Sequence, residues 1–453
     1  MHGFGNHFAT ECHQGALPRA QNNPQKCAYG LYAEQLSGTP FTFGRGKNQF
    51  SWMYRILPSC SQGKFEKSTD NESMDKGLYI SNFAAEDSRL HVDPSQKRWL
   101  PIKYPESSNS HNFVQGIRTM CGAGDPTMKN GIGMHVYAFN QNMGKTAFYN
   151  SDGDYLIVPQ EGTLFITTEF GRMTVKPLEI CVIQRGIKFK IDLDATGDEL
   201  NADQRAKVQA RGYICETFQK HFILPDLGPI GANGLANPMH FQTPTSWYED
   251  TNDTWNIQSK YAGKFFQYQQ NHSPFDVVAW HGNYCPYKYD LNLYNTIGSI
   301  SYDHPDPSIF TVLTCQTDEP GQAICDFVIF PPRWLVAENT FRPPWYHKNT
   351  MSEFMGNIKG TYDAKEKGFT PGASSLHSAM SGHGPEEMVF EKATNSEDYT
   401  KPQFVGKDGM AFMFETCYLM KLTDYSKNPS NEDTTYVQDA WGSLQKHFDP
   451  SKK

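Results

Sequence analysis

Between residues 112 and 192 the chain breaks into short β-prone runs, with turn signals about every 8–12 residues, the rhythm of a β-sandwich or barrel. The runs are 135–139, 155–159, 163–167, 173–175 and 180–183. Asn150-Ser151-Asp152-Gly153, Glu161-Gly162, Phe170-Gly171 and Arg185-Gly186 punctuate them. Ile187-Lys188-Phe189-Lys190-Ile191 alternates strictly, apolar to one face and lysine to the other, as a half-buried strand does. An aromatic content of 13% suits sheet-rich cores, and 37 Gly with 28 Pro supply the turns.

The rest of the chain extends this mainly β reading. Residues 52–57 read as a strand stopped by Pro58, and 61–110 are polar and irregular. Residues 193–211 form a charged insertion, a solvated excursion with room for one exposed helix. The sheet resumes at 213–215, and a Gly/Pro-rich connection covers 226–234. A second set of strands is expected at 308–313 and 325–330, with a late strand over 410–422. Val437, Ala440, Trp441, Leu444 and Phe448 recur three or four apart, with Asp433 or Thr434 as N-cap, and predict a C-terminal amphipathic helix. A chain of 453 residues exceeds one ordinary core. We place a boundary near 290, giving an N-terminal unit over 1–290 with a loop-rich arm and a C-terminal unit over 291–453.

Charge narrows the function classes. With 41 basic and 49 acidic residues, net −8, and no block of like charge, nucleic acid and membrane surfaces are not expected partners. Mean hydropathy is −0.61. No apolar run approaches the roughly 20 residues of a membrane span. The N-terminus lacks the basic and apolar regions of a signal peptide. Ten scattered cysteines form no CxxC pair, which fits reduced thiols and a cytoplasmic protein.

The chemistry concentrates at His347, Glu353 and His383. Two imidazoles and a carboxylate on one face of a non-haem Fe(II) leave coordination positions open for an organic substrate and O2. His347 and Glu353 are too far apart to share a helix face at i, i+4, but an extended or curved segment turns both to one side. Glu353 precedes Phe354-Met355-Gly356. It is either an exposed carboxylate paired with Lys348 or Lys359, or a buried one whose cost a cation offsets. The spacing leaves both readings open. A metal ion would also stabilise a bound phenolate by lowering its pKa.

The segment Phe341-Arg342-Pro343-Pro344-Trp345-Tyr346-His347-Lys348-Asn349-Thr350-Met351-Ser352-Glu353-Phe354-Met355-Gly356 resembles the iron-binding stretch of the homogentisate 1,2-dioxygenase family. The likeness continues through Phe369-Thr370-Pro371-Gly372 and Ser375-Leu376-His377-Ser378 to His383-Gly384-Pro385. It extends to Leu31-Tyr32-Ala33-Glu34-Gln35-Leu36-Ser37-Gly38 and Val278-Ala279-Trp280-His281-Gly282-Asn283-Tyr284. The resemblance implies opening of the homogentisate ring by O2 to maleylacetoacetate, in tyrosine and phenylalanine catabolism. It implies Fe(2+) held by His347, Glu353 and His383, with His383 also against substrate. His304 is implied as general base, Tyr362 as a substrate contact, and His377 as a support behind the ligands. The implied architecture is an N-terminal β-sandwich joined to a C-terminal cupin-like (jelly-roll) β-barrel, assembled as a homohexamer, a dimer of trimers.

Two rival readings carry different tests. Two His and one Glu also suit a zinc-dependent hydrolase, although no HExxH helix is present. A non-catalytic cupin-like binding protein is the other. Metal identity and oxygen uptake separate these from the dioxygenase.

Overall fold

The computed structural model describes residues 7–19, 26–68, 78–84, 86–226, 236–296, 310–336, 342–365, 367–396 and 400–452. The calls at His304, at Phe341 and for most of the 226–234 connection fall outside these residues.

The fold is mainly β, as the sequence reading expects. Its centre is an eight-stranded sheet ordered Tyr287–Asp290, Glu179–Ile183, Asp154–Glu161, Ala210–Thr217, Asn130–Phe139, Ile117–Asp125, Lys421–Thr423 and Leu90–His91. Period-two alternation gives this sheet two apolar faces. Tyr137, Tyr155, Ile157 and Ile214 pack with Phe148, Leu164, Ile166 and Phe189 of a seven-stranded sheet. Val136, Leu156, Val158 and Tyr213 point the other way, against Phe327, Phe354, Phe412 and Phe414 of a six-stranded sheet. A sheet covered on both faces explains why strands such as Asp154–Glu161 read as continuous apolar runs rather than alternating ones. A four-stranded sheet built on Val277–Gly282 and Phe50–Arg55 holds the N-terminal segment.

The six-stranded sheet, where the sequence reading expects the second unit, runs in the order Thr311–Gln316, Ala323–Phe330, Met410–Thr416, Ser352–Lys359, Ser374–His377, Lys97–Trp99. Among the described residues it does not close into a barrel: beyond its edge strands there are only isolated bridges, Thr314 with Ile223 and Trp99 with Glu432. Hydrogen bonds also cross the residue-290 boundary in both directions. Lys97–Trp99, from the first unit, completes this sheet through Ser374, Ser375 and Leu376. Lys421–Thr423, from the second, pairs with Gly122 and Cys121 of the central sheet.

Three details differ from the sequence reading. The late strand over 410–422 is two strands, Met410–Thr416 and Lys421–Thr423, in different sheets. The C-terminal helix covers only Tyr436–Trp441, from N-cap Thr435 to C-cap Gly442. It buries Tyr436 and Ala440, whereas Val437, Leu444 and Phe448 are exposed, so the apolar stripe read from spacing is not its packed face. The charged insertion does form one exposed helix, Ala202–Arg205, closed by an Asn201/Gln204 capping box. Its flanks are anchored, however, because Leu193 and Leu200 enter the core.

The interior also holds charge. Lys260 is fully buried, with Nζ 2.5 Å from Glu216 and 2.9 Å from Asp152. Burial alone would raise the Glu216 carboxyl, but Lys260 and the hydrogen bond from His135 outweigh it and hold it at about 2. Asp154 is likewise held at about 2, burial being overcome by Arg185 and His221. Both folded values lie below the unfolded ones. Their stabilisation is therefore complete above the unfolded carboxylate range and is lost as pH falls through it toward 2. Each group contributes on the order of 3 kcal/mol. Urea midpoints should hold near neutral pH and drop steeply below about pH 4.5; Glu216→Gln should flatten that drop.

Candidate metal centre

Glu353 lies near the start of the strand Ser352–Lys359. The pleat sends Phe354 into the core between sheets and turns Glu353 and Met355 to the opposite face, where Met413 and Glu415 also line a cleft. Glu415 is the direct cross-strand neighbour of Glu353. Two carboxylates facing each other on one sheet surface repel, and a cation relieves that repulsion.

His347 reaches Glu353 by a fold-back of the chain rather than along one strand. His347 and His383 form an isolated antiparallel bridge: the His347 amide donates to the His383 carbonyl at 2.8 Å, and the reverse bond is 3.0 Å. The Met380 amide donates to the Asn349 carbonyl at 2.8 Å, and the Ala379 amide to Ser352 Oγ at 3.2 Å. Gly384 permits the close passage beside His383, since a Cβ there would sit 2.6 Å from the Tyr346 ring. These bonds zip the two histidine segments over the strand carrying Glu353.

The ring orientations follow from backbone contacts. Nδ1 of His347 donates to the Trp345 carbonyl at 2.9 Å, and Nδ1 of His383 donates to the Ser381 carbonyl at 2.9 Å. Each bond commits Nδ1 as a donor and turns Nε2 inward, where a metal ion would take the place of its proton. Both Nε2 atoms meet the carboxylate. His383 Nε2 is 3.0 Å from Glu353 Oε2, and His347 Nε2 is 3.4 Å from Oε1. One ligand atom from each of the three residues lies within 4.8 Å of the others. Metal bonds of about 2.1 Å place neighbouring octahedral donors about 3 Å apart, so the set fits one ion. Burial alone would raise the Glu353 carboxyl, but hydrogen bonds from His347, His377 and His383 hold it well below the usual carboxylate range. The hydrogen bond to Glu353 in turn raises His347. Both shifts mark a place that stabilises positive charge.

Around this set lies a cleft of about 430 Å³. Phe310, Phe330, Met355 and Met413 form apolar wall, and buried Tyr362 packs its ring 5.1 Å from Phe330. His377 stands behind Glu353, with Nδ1 3.5 Å from Oε2 and Nε2 3.1 Å from the Tyr436 hydroxyl. Burial, and then Lys365, push its pKa down to about 3. The structure thus brings together His347, Glu353, His383, Tyr362 and His377; His304 is outside the described residues. Arg333, Arg342 and Lys348 line the cleft, and Lys359 does not.

Sequence reasoning missed Asn349 and Lys365. Asn349 Nδ2 donates to Glu353 Oε1 at 2.9 Å. Its place four residues before Glu353 was the available signal. Lys365 is buried, and loss of hydration pulls its ammonium down to about 7. Nothing in Asp363-Ala364-Lys365 marks it in sequence.

Comparison with known proteins supplies the context for this geometry. Residues 1–291 match the family described as homogentisate 1,2-dioxygenase N-terminal, and residues 292–448 match homogentisate 1,2-dioxygenase C-terminal. Homogentisate 1,2-dioxygenase of Mus musculus is 50% identical over 457 residues, spanning 100% of this chain and 97% of that protein. The Homo sapiens protein of that name is 49% identical over 456 residues, with the same coverage. Among solved structures, protein Ylba from E. coli aligns with a TM-score of 0.29 at 9% identity, over 73% of this chain and 95% of that one, too slight a likeness to add to the argument. Two adjoining family matches and half-identity along the whole length leave one conclusion: the chain belongs to the homogentisate 1,2-dioxygenase family.

Proposed function

We propose that this chain is a non-haem Fe(II) dioxygenase that opens the ring of homogentisate with O2 to give maleylacetoacetate. The observation that carries the reading is the convergence of His347, Glu353 and His383 beside an apolar cleft, in a chain of this family. Ferrous iron bound by these three residues would supply a redox-active Lewis acid with open positions for substrate and O2.

The protein's part in the reaction is placement and proton handling. The carbonyls of Trp345 and Ser381 lock both imidazoles with Nε2 toward the ion, and Asn349 and His377 hold the Glu353 carboxylate. Tyr362 orients the ring through its hydroxyl. Burial, and then Asp363, push that hydroxyl well above its ordinary pKa, so it stays protonated and donates. His304 takes the proton from a ring hydroxyl, work suited to an imidazole near neutral pH. The aromatic and methionine walls exclude water. Both oxygen atoms end in the product.

The same reading makes the protein a cytoplasmic homohexamer, divided near residue 290 into a β-sandwich unit and a cupin-like catalytic unit. Ten scattered cysteines with no CxxC pair agree with a reducing compartment. No helix among the described residues is long and apolar enough to cross a membrane.

Anaerobic loading with ferrous ion, followed by homogentisate and air, tests the function. Iron bound one per chain, with one O2 consumed per ring opened, is the expected result. A protein that binds zinc, hydrolyses an ester and takes up no oxygen would contradict it.

A further inference from the structure

The cleft holds several cations, and their partners differ. Arg333 pairs with Asp363 at 3.1 Å. Lys348 is exposed to solvent, and Arg342 is half-buried and donates to the Lys401 carbonyl. Lys365 is only 3% exposed, yet among the described residues no carboxylate forms an ion pair with it. Its Nζ donates to Ser375 Oγ at 2.8 Å and to His377 Nε2 at 3.2 Å, and lies 3.8 Å from Met355 Sδ. The rings of Phe369 and Tyr436, at 4.7 and 5.5 Å, soften the burial without neutralising it. An ammonium has three N–H donors; two go to Ser375 and His377, and the third meets only the weak thioether acceptor of Met355, which a stronger acceptor would displace.

Charge counting shows what that acceptor would be. Divalent iron faces the Glu353 carboxylate with Glu415 beside it on the same sheet face, so no positive charge is left at the metal centre once a phenolate binds. The acetate arm of homogentisate then brings a negative charge that the metal centre does not match. Lys365, lining the same cleft, has no carboxylate in ion-pair contact among the described residues; Glu386 and Glu353 act on it only from farther away. Buried charges of either sign are costly alone and far less so together. Resting on the dioxygenase reading above, we propose that Lys365 receives the carboxylate of the substrate and selects hydroquinones with an anionic arm over neutral ones. His377, shared between Lys365 and Glu353, fixes the separation between the arm site and the metal site.

The test compares homogentisate with 2-methylhydroquinone, in which methyl replaces the acetate arm, for the iron-loaded wild type, Lys365→Met and Lys365→Gln. Gln still donates to Ser375 but carries no charge. Wild type should favour homogentisate in kcat/KM by about 10²–10³-fold, the scale of a buried charge pair losing one partner. Both variants should bring that ratio to within about tenfold, chiefly by raising KM for homogentisate, with iron content unchanged. Equal losses on both substrates would make Lys365 structural and overturn the proposal. Retained discrimination in a folded variant would overturn it too. A wild type that opens neither ring would instead sink the dioxygenase assignment, and this inference with it.

Discussion

Glu353→Gln should leave a folded chain that retains no iron and opens no ring. Glutamine keeps the size of the side chain and its place on the strand Ser352–Lys359, and its carbonyl still accepts from Asn349. What it removes is the anionic ligand toward which both Nε2 atoms converge. Changing a residue that merely supports a ligand weakens metal binding by roughly 10–100-fold. Losing the charged ligand itself should exceed that, so the variant should leave anaerobic gel filtration without iron. Stability gives an independent reading. Ferrous ion at a thousand times its dissociation constant stabilises wild type by about 4 kcal/mol. The variant should show no such gain. In the metal-free state Gln should leave the protein no more stable than wild type, because the hydrogen bonds that hold the buried carboxylate well below its usual range already offset its desolvation. Thermal unfolding with and without ferrous ion measures both. An iron-loaded, active Glu353→Gln protein would remove the carboxylate from the ligand set.

His304→Ala should separate proton transfer from metal binding. A general base contributes about 10²–10⁴-fold to rate. The variant should lose that much in kcat while keeping one iron per chain and an unchanged affinity for homogentisate under anaerobic conditions. Its pH–rate profile should lose the limb that reports an imidazole near neutrality. Loss of iron together with activity would instead make His304 a ligand.

Much of this account was legible in the chain itself, and the limits have physical causes. Strict alternation at 187–191 and turn pairs such as Glu161-Gly162 identify the β class directly, since period-two patterning and turn chemistry are local. The three-layered arrangement is not local. Leu156 and Tyr155 are both apolar, and nothing in either shows that one faces the six-stranded and the other the seven-stranded sheet. The swapped edge strands Lys97–Trp99 and Lys421–Thr423 are too short to announce themselves. At the site, residue type pointed to His347, Glu353 and His383, but the spacing left a surface ion pair open. Folding buries Glu353 beneath the backbone bridge between His347 and His383, a contact between segments distant in sequence, so the exposed carboxylate is not what forms. Lys365 stayed hidden for the same reason: only the packing of Phe369, Ser375 and Tyr436 around it removes its water.

The most direct test of the central claim is anomalous diffraction at the iron edge, from crystals loaded with ferrous ion. One strong peak per chain is expected, about 2.1 Å from Nε2 of His347, Nε2 of His383 and a carboxylate oxygen of Glu353. A peak bound elsewhere, or no peak between these three groups at full iron occupancy, would contradict it.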